Sequence, residues 1–487
     1  MKKGILIPAI IAAVLSAGFM RAENTGVPGE SEDVMLQCFY WDSYKPQSGS
    51  DSPYGRTKWI DLLKDTSALT ARFDVLWFPP SAMAGGVGYT PKQYSNQDSD
   101  WGTKRKLDEL IAALHRGGTK VLADVVINHR GNSNSWCTFY PDNFGSYGTY
   151  QLTQSHICSG DEGFTNSSSS CYGSSTRGGA DTGTDFEGAR DLDHSSEYVQ
   201  NWSEAYLSWL LKTMHYDGFR YDMTRGYAGA YLSMYNEASQ PYLSVSEFWM
   251  DNTTDQIKHL KETSFNTMVF DFPLKWRLGT AINGNAYGQL KNPSNSLRGK
   301  GYAKYAVTFI DNHDTFERSD NQGGEFYQYK ADLSTIVVKG RILQAYTYIL
   351  LMPGIPCVFW PHWKSYPDEL GALIDVRKRA GIHSESAVLE ESGQGNRYEA
   401  TVEGHRGTVI FRIGAGRSLD VPEGYEKAAD GGMYLPYSVF IRMNGPETAL
   451  GNTAGAKDAG CEKFFRDGQL LIRRGEHVYD LTGTRVE

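Results

Sequence analysis

Several short apolar runs of this 487-residue sequence end in acidic, amide, basic or histidine side chains. If these runs are neighbouring strands of a parallel barrel, their carboxyl ends lie on one face, where barrel active sites are found. Like charges brought together destabilise a fold, so carboxylates at the ends of several strands indicate an active site. The residues are Asp124, Asn128 and His129 in the third run, Arg220 and Asp222 in the fourth, Glu247 in the fifth, and His313 and Asp314 at the end of the seventh.

Two carboxylates at neighbouring strand ends could cleave a glycosidic bond. One attacks the anomeric carbon, and a second, kept protonated, donates its proton to the leaving oxygen. Arg220 lies two residues before Asp222 and therefore on the same strand face, so its charge is expected to keep Asp222 ionised as a nucleophile. Glu247 is followed by Phe248 and Trp249, the apolar surroundings expected of an acid catalyst.

The apolar runs alternate with helix-like segments at 104–117, 197–214 and 340–352. Near-continuous apolar strands separated by helices indicate a parallel sheet covered on both faces, and eight such strands favour a (β/α)8 TIM barrel over an open sheet. The predicted strands are 34–41, 75–80, 120–128, 218–223, 242–249, 267–272, 306–313 and 356–360.

Two regions depart from this alternation. Residues 131–192 separate the third strand from its helix and are rich in Gly, Ser, Asp and Asn, which predicts an inserted loop-rich subdomain. After Gly381 the pattern becomes period two with turn signals over 389–413, which predicts a C-terminal antiparallel β domain. The predicted segments are a signal peptide at 1–22, the barrel at 31–130 and 193–383, the insert at 131–192, the β domain at 384–456 and a tail with short strands at 457–487.

The N-terminus has a basic start, an apolar run at 4–20 and polar residues after it, the pattern of a signal peptide cut between Ala17 and Glu23. The sequence therefore predicts export to the periplasm, the cell surface or the medium. The run is short and contains Pro8, so no stable membrane span is expected. The formal net charge of −9 argues against nucleic acid as a partner and suits a neutral substrate. We expect a monomer.

The six cysteines fit no zinc-binding spacing. Cys38 and Cys357 lie in apolar runs and are expected to be buried small hydrophobes. Cys137, Cys158 and Cys171 fall in the Ser/Gly-rich insert, where an oxidising compartment could join two of them. The sequence leaves open which two.

Four segments carry a family resemblance. DVVINH (124–129), GFRYDMTRGY (218–227), SEFW (246–249) and FIDNHD (309–314) resemble the signature segments of the α-amylase family of glycoside hydrolases, in the family's order and spacing. GYTPKQY (88–94), DTGTDFEGARDLDH (181–194) and VRKRAGIH (376–383) are most similar to plant-type α-amylases. The resemblance runs from about Met35 to Ile413. It implies a retaining, endo-acting hydrolase of α-1,4-glucans such as starch, glycogen or maltooligosaccharides, working through a covalent glycosyl-enzyme intermediate.

The resemblance also implies roles for single residues. Asp222 would be the nucleophile, Glu247 the general acid/base and Asp314 the carboxylate that stabilises the transition state. Substrate contacts would come from Tyr89, His129, Arg220, Trp249 and His313. Arg225-Gly226 stands where many family members have Lys-His. The resemblance therefore gives little guidance on how the leaving-group side of the substrate is bound.

A calcium ion is implied by the same resemblance. Its ligands would be Asn128, Asp181 and Asp191, with the backbone oxygens of Thr184 and Gly226. Oxygen ligands on flexible loops suit Ca²⁺ and not zinc. Asp185, with the backbone of Phe186 and Ala189, matches part of a second site, although the insert departs from the family over 132–178. The alternative is that these aspartates cap turns in a Gly-rich loop.

Two other functions compete with hydrolysis of long α-glucans. A transglycosylase or an oligo-α-glucosidase could use the same barrel, because water and sugar acceptors compete for one covalent intermediate. A non-catalytic starch-binding protein is a further alternative. It would have no need of Asp222, Glu247 and Asp314 together.

Overall fold

The computed structural model describes residues 25–45, 54–316, 339–432 and 436–444, short strands at 318–319, 326–327, 461–466, 469–474 and 477–479, and Val486. The predicted signal peptide lies outside these residues. Among the described residues, no helix has both the length and the apolar character needed to cross a bilayer.

Eight parallel strands of the described chain close into a barrel in which each strand pairs with the next and the last pairs with the first. Met35 in the first strand is in register with Val75 on one side and with Cys357 on the other. The predicted (β/α)8 barrel is therefore confirmed. Its strands are β1 (Met35–Gln37), β2 (Val75–Trp77), β3 (Lys120–Val125), β4 (Gly218–Tyr221), β5 (Leu243–Ser246), β6 (Met268–Phe270), β7 (Ala306–Phe309) and β8 (Ile355–Phe359).

The helices cover the outside of the barrel with one apolar face each. In the second helix, the side chain of Thr103 accepts a hydrogen bond from the Lys106 amide, and Leu107, Leu110 and Leu114 are buried at helical spacing. The described α-helices are α1 (Trp59–Thr70), α2 (Lys104–Arg116), α3 (Glu197–Lys212), α4 (Gly229–Ser239), α5 (Thr253–Glu262), α6 (Phe272–Asn283), α7 (Lys339–Leu351), α8 (Trp360–Ser365) and α9 (Pro367–Ala380).

The insert after β3 is attached to the barrel through its two ends. His129–Arg130 pairs with Arg190–Asp191 as a short antiparallel ladder. The fully buried Arg130 forms an ion pair with Asp142 at 3.2 Å and donates to the carbonyl of Lys92 at 2.7 Å. Because a buried guanidinium without partners is costly, this pair and its hydrogen bonds fix the path of the insert.

The structure shows which two cysteines of the insert are bonded. Cys137 and Cys171 form a disulfide, and Cys158 is a buried free thiol. Cys38 and Cys357 are buried and free, as expected of small hydrophobic residues in barrel strands.

A five-stranded antiparallel sheet follows α9, as the period-two pattern predicts. Its strands are β9 (Val388–Gln394), β10 (Arg397–Glu403), β11 (Gly407–Ile413), β12 (Glu426–Asp430) and β13 (Tyr437–Met443), in the order β9-β10-β11-β13-β12. Tyr398, Ala400 and Val402 alternate on the buried face of β10. A separate compact unit, Asn444–Glu487, contains β14 (Cys461–Arg466), β15 (Gln469–Arg474) and β16 (His477–Tyr479).

Candidate active site

One guanidinium lies at the centre of the strand-end cluster. Arg220, at the end of β4, is fully buried. Its Nη1 atom donates to Oδ1 of Asp124 and to Oδ1 of Asp222, both at 2.8 Å. Its Nη2 atom forms an ion pair with Oε1 of Glu247 at 2.7 Å. The ends of β3, β4 and β5 thus bring three carboxylates around one positive charge.

The innermost carboxylate belongs to Asp124. Its Oδ2 atom accepts hydrogen bonds from the indole of Trp77 at 3.0 Å and from the hydroxyl of Tyr89 at 2.8 Å. Burial raises the pKa of Asp124 to about 6, although Arg220 and these donors lower it. A carboxylate with all its oxygens engaged by protein donors holds Arg220 and Tyr89 in position.

Burial and the charge of Arg220 act on the pKa of Asp222 in opposite directions. Burial raises its pKa well above the ordinary value, and the charges of Glu247 and Asp124 raise it further against the opposing effect of Arg220. Three carboxylates around one guanidinium carry a net charge of −2 when all are ionised, which burial disfavours. The ion pair with Arg220 opposes this rise, and the ionised state of Asp222 expected from the sequence stays a prediction.

Glu247 is held from the neighbouring strand. Its Oε2 atom accepts a hydrogen bond from the backbone N–H of Met223 at 3.0 Å. Met223 has φ 45° and ψ 49°, the left-handed conformation that is costly for a residue with a side chain. The two predicted apolar neighbours pack on other partners: Phe248 stacks on His259 at 4.1 Å between ring centroids and Trp249 stacks on Phe272 at 4.6 Å.

Asp314 lies across the site at the end of β7. Its Oδ1 atom accepts a hydrogen bond from the indole of Trp41 at 3.2 Å, and its Oδ2 atom is 3.2 Å from Nε2 of His313. The Nδ1 atom of His313 accepts from the side-chain amide of Gln37 at 3.0 Å, which leaves the neutral ring's proton on Nε2, facing Asp314. This chain of contacts connects the first barrel strand with the seventh.

The aromatic ring of Tyr89 forms part of the floor of the same site. It stacks on His313 with centroids 5.1 Å apart and planes at 8°, and Trp41 lies 5.7 Å away. His129 contacts the backbone of Tyr89, because its Nε2 atom lies 2.9 Å from the Tyr89 carbonyl oxygen. Burial lowers the pKa of His129 to about 4, so the ring is neutral and donates through Nε2. Phe186 from the insert stacks on His129 at 4.0 Å.

A cavity of about 330 Å³ opens beside Glu247. Trp249, Met223, Arg225 and Thr184 line it together with Glu247. The guanidinium of Arg225 donates to the carbonyl of Trp249 at 3.2 Å. An aromatic face with a cation beside it suits a sugar ring with its hydroxyls.

The predicted calcium ligands also converge. Carboxylate oxygens of Asp181, Asp185 and Asp191 lie within 4.8 Å of one another. The side-chain amide of Asn128 donates to Oδ1 of Asp191 at 3.2 Å. Burial raises the pKa of Asp191 to about 8, with Asp185 and Asp181 adding to the rise. The structure places Asp185 beside the first predicted set of ligands, although the sequence resemblance puts it in a second site.

Known protein sequences resemble this chain over much of its barrel. Residues 57–271 match the α-amylase catalytic-domain family. The α-amylase type B isozyme of Hordeum vulgare is 33% identical over 133 residues, which are 26% of this chain and 76% of that protein. This chain belongs to the α-amylase family of glycoside hydrolases.

Other relatives span more of this α-amylase-family chain. The chloroplastic α-amylase 3 of Arabidopsis thaliana is 30% identical over 412 residues, which cover 80% of this chain and 42% of that longer protein. The glucan 1,4-alpha-maltotetraohydrolase of Stutzerimonas stutzeri is 28% identical over 446 residues, with 84% of this chain and 74% of that protein covered.

Solved structures share the fold at lower identity. A cyclomaltodextrin glucanotransferase with a three-domain ABC distribution has a TM-score of 0.61 at 16% identity, covering 85% of this chain and 100% of that one. An α-amylase from Malbranchea cinnamomea has a TM-score of 0.60 at 15% identity, covering 84% and 96%.

The acidic cluster of this family member fits the calcium that the family implies. Oδ2 of Asp181 is buried without a hydrogen-bond partner, as a ligand atom in need of a cation would be. A Cβ on Gly226 would come within 1.9 Å of Oδ1 of Asn128, so only glycine allows the amide oxygen to lie here. Thr184 lies next to the segment that contains Gly226, because its N–H donates to the carbonyl of Arg225 at 2.8 Å. An oxygen-only donor set of this kind suits Ca²⁺.

Sequence reasoning missed the residues that the first two strands contribute. Gln37 contacts His313, Trp41 contacts Asp314 and Trp77 contacts Asp124. Trp41 ends the first predicted strand, whereas Gln37 and Trp77 lie inside predicted strands and end the shorter β1 and β2 of the structure. The strand-end argument used for the carboxylates could have found Trp41, but Gln and Trp do not stand out as chemical groups.

Proposed function

We propose that this protein is an exported, endo-acting α-amylase that cleaves α-1,4 bonds of starch, glycogen or related maltooligosaccharides with retention of configuration. The observation that carries the proposal is the pair Asp222 and Glu247, on adjacent strands and bound to the same guanidinium of Arg220 at 2.8 and 2.7 Å. Two carboxylates held side by side suit a double displacement, because one must attack while the other protonates.

In the first step, the carboxylate of Asp222 attacks the anomeric carbon and Glu247 donates a proton to the glycosidic oxygen, so that the C–O bond breaks and the leaving sugar departs. In the second step, Glu247 takes a proton from water, and the oxygen of this water replaces Asp222 at the anomeric carbon. Both displacements invert, so the product keeps the α configuration. Asp314 faces the positive charge that develops on the sugar ring between the two steps.

The surrounding residues suit a sugar substrate. Tyr89 offers a ring face beside His313, and Trp249 lines the cavity next to Glu247 on the leaving-group side. His313 and His129 would contact hydroxyls of the sugar being cut. Arg225 lines the same cavity as Trp249 and would contact the sugar beyond the cut.

The metal cluster has a structural role in this proposal. Asn128 follows β3, Gly226 follows β4, and Asp181, Asp185 and Asp191 lie in the insert, so a bound Ca²⁺ would hold the insert against two strands of the catalytic site. When bound, the ion supplies a positive charge that satisfies the clustered carboxylates. The proposed export rests on the signal-peptide pattern at 1–22. The monomeric state is a separate part of the proposal.

The decisive experiment is incubation of the purified protein with soluble starch, followed by sizing of the products and NMR of the fresh hydrolysate. Endo action predicts a rapid fall in chain length with many intermediate products, and retention predicts α-configured reducing ends first. An initial β-anomer contradicts the double displacement. Transfer products from maltotriose would instead favour a transglycosylase. Binding without new reducing ends would favour a starch-binding protein.

A further inference from the structure

A second cluster of metal-ligating side chains lies outside the active site. One nitrogen each from His383 and His405 and one oxygen of Glu30 lie within 4.8 Å of one another. They come from three separate parts of the chain: the segment before β1, the segment after α9, and the turn between β10 and β11. The glycosidase chemistry above uses none of them.

We propose that Glu30, His383 and His405 form a binding site for a divalent transition-metal ion such as Zn²⁺. Two imidazole nitrogens and one carboxylate oxygen are a donor set that Zn²⁺ accepts, with a water completing four-coordination. Ca²⁺ and Mg²⁺ prefer oxygen ligands, so this site differs in metal preference from the all-oxygen cluster of Asp181, Asp185 and Asp191.

The contacts of His405 orient it for this role. Its Nδ1 atom lies 3.2 Å from Oε1 of Glu32, and its Nε2 atom lies 3.5 Å from Oε2 of Glu30. Arg406 donates to the same Oε1 of Glu32 at 2.9 Å and fixes that carboxylate. A carboxylate on one ring nitrogen sets the tautomer and aims the other nitrogen at a metal, as in many metal sites with histidine ligands.

Backbone hydrogen bonds hold the three segments together. The amide of Glu30 donates to Oε2 of Glu385 at 3.1 Å, and the amide of Ser384 donates to the carbonyl of Ser31 at 2.8 Å. The amide of His405 donates to the carbonyl of Gly381 at 3.0 Å. The ligands therefore need no large movement of the chain to meet.

Coordination of one ion requires the two imidazole rings to tilt toward each other. The two imidazole rings stack with centroids 4.1 Å apart and planes at 17°. Tetrahedral Zn²⁺ with bonds of about 2.0–2.1 Å places its ligand nitrogens about 3.3 Å apart. The side chains of Glu30 and His405 are 65% and 43% exposed, so solvent leaves room for them to turn toward the buried His383. Nδ1 of His383 accepts a 3.3 Å hydrogen bond from the Glu385 amide. Coordination through Nε2 would place the ring proton on Nδ1, so this hydrogen bond would be lost when the metal binds.

An ion at this position would join the N-terminal segment to the barrel and to the C-terminal sheet. Because the ligands come together only in the folded chain, binding stabilises the fold by mass action without changing the glycosidase chemistry. The competing explanation is that His405 pairs with Glu30 and Glu32 by charge alone, with His383 stacked beside it.

The test uses the full chain, stripped of metal with chelator and exchanged into chelator-free buffer. Zn²⁺ is titrated by calorimetry with Ca²⁺ in excess, and melting curves are recorded with Zn²⁺ or Mg²⁺. We expect one Zn²⁺ per chain and a higher melting temperature that Mg²⁺ does not reproduce. His405→Gln should abolish this binding, and Glu32→Gln should weaken it about 10–100-fold, the usual effect of losing the group that orients a ligand histidine.

Two controls separate this site from others. Asp191→Asn removes a ligand of the all-oxygen cluster and should leave Zn²⁺ binding unchanged. His115→Gln removes a different surface histidine that pairs with Asp217 and should also have no effect. His405 is on the surface, so its variant is expected to fold even if a His383 variant does not. Unchanged Zn²⁺ affinity in His405→Gln, or the absence of binding to the wild-type chain, would overturn the proposal.

Discussion

The backbone N–H of Met223 donates to Oε2 of Glu247 at 3.0 Å from a residue in the left-handed conformation. Met223 directly follows Asp222, so one turn positions the proposed nucleophile on β4 and the proposed acid on β5. The side-chain amide of Asn128 lies 3.6 Å from the sulfur of Met223, which connects this turn with the calcium cluster. The left-handed backbone conformation of Met223 and the guanidinium of Arg220 therefore both position the two carboxylates.

We expect Met223→Val to lower kcat on starch about tenfold, because a β-branched side chain disfavours the left-handed conformation more strongly than Met does and moves the amide away from Glu247. Met223→Gly is the matched control, since glycine adopts this conformation freely. It should keep kcat near that of the wild type while KM changes through the lost cavity wall. Equal kcat values for the two variants would show that the backbone conformation does not position Glu247.

Glu247→Gln should reduce turnover on starch at least about 10²-fold, because glutamine keeps the shape of the side chain but cannot donate the proton to the leaving oxygen. Binding of maltooligosaccharides, measured by calorimetry, should persist. Glu262→Gln, an exposed position on α5, controls for a general effect of the substitution. Near-normal turnover of the Glu247 variant would require another residue as the acid.

Chelation should lower both the melting temperature and the activity, and Ca²⁺ should restore both better than Mg²⁺, which tolerates irregular multi-oxygen sites poorly. Asp191→Asn should reproduce much of this effect, because it removes the buried carboxylate at the centre of the acidic cluster. Asp65→Asn, on the surface of α1, is the control. A melting curve that chelation leaves unchanged would mean that the aspartates only cap turns of the insert.

The buried His259 should make the free energy of unfolding depend on pH. Burial lowers its pKa to about 3, whereas an unfolded histidine titrates near 6.5. The unfolded chain therefore binds one more proton between about pH 6.5 and 3, and the free energy of unfolding falls as the pH falls through this window, by up to about 1.4 kcal/mol per pH unit. Urea unfolding of His259→Gln at pH 7, 6 and 5 should show a shallower dependence than the wild type. His215→Gln, at an exposed position, should not; an unchanged slope for the His259 variant contradicts the assignment.

The sequence by itself determined the barrel and the place of its chemistry. Eight apolar runs alternating with helices have few other ways to bury both faces, and the carboxyl ends of parallel strands necessarily share one face. Asp222, Glu247 and Asp314 stand at such ends, so their convergence follows from the pattern. The tertiary structure decided what depends on distances between remote segments. It paired Cys137 with Cys171, placed Asp185 beside Asp191, and brought Trp41 to Asp314.

The tertiary structure also decided what surrounds the charged groups. Local sequence shows Arg220 near Asp222 but not the burial of three carboxylates around one guanidinium, and burial is what raises the pKa of Asp222. In the same way, Glu30 and His405 are 375 positions apart, and only the packing of the C-terminal sheet against the barrel brings them within reach of one ion. A periodic pattern reports which face of an element is buried, whereas the electrostatics of a site depend on every group that the fold places around it.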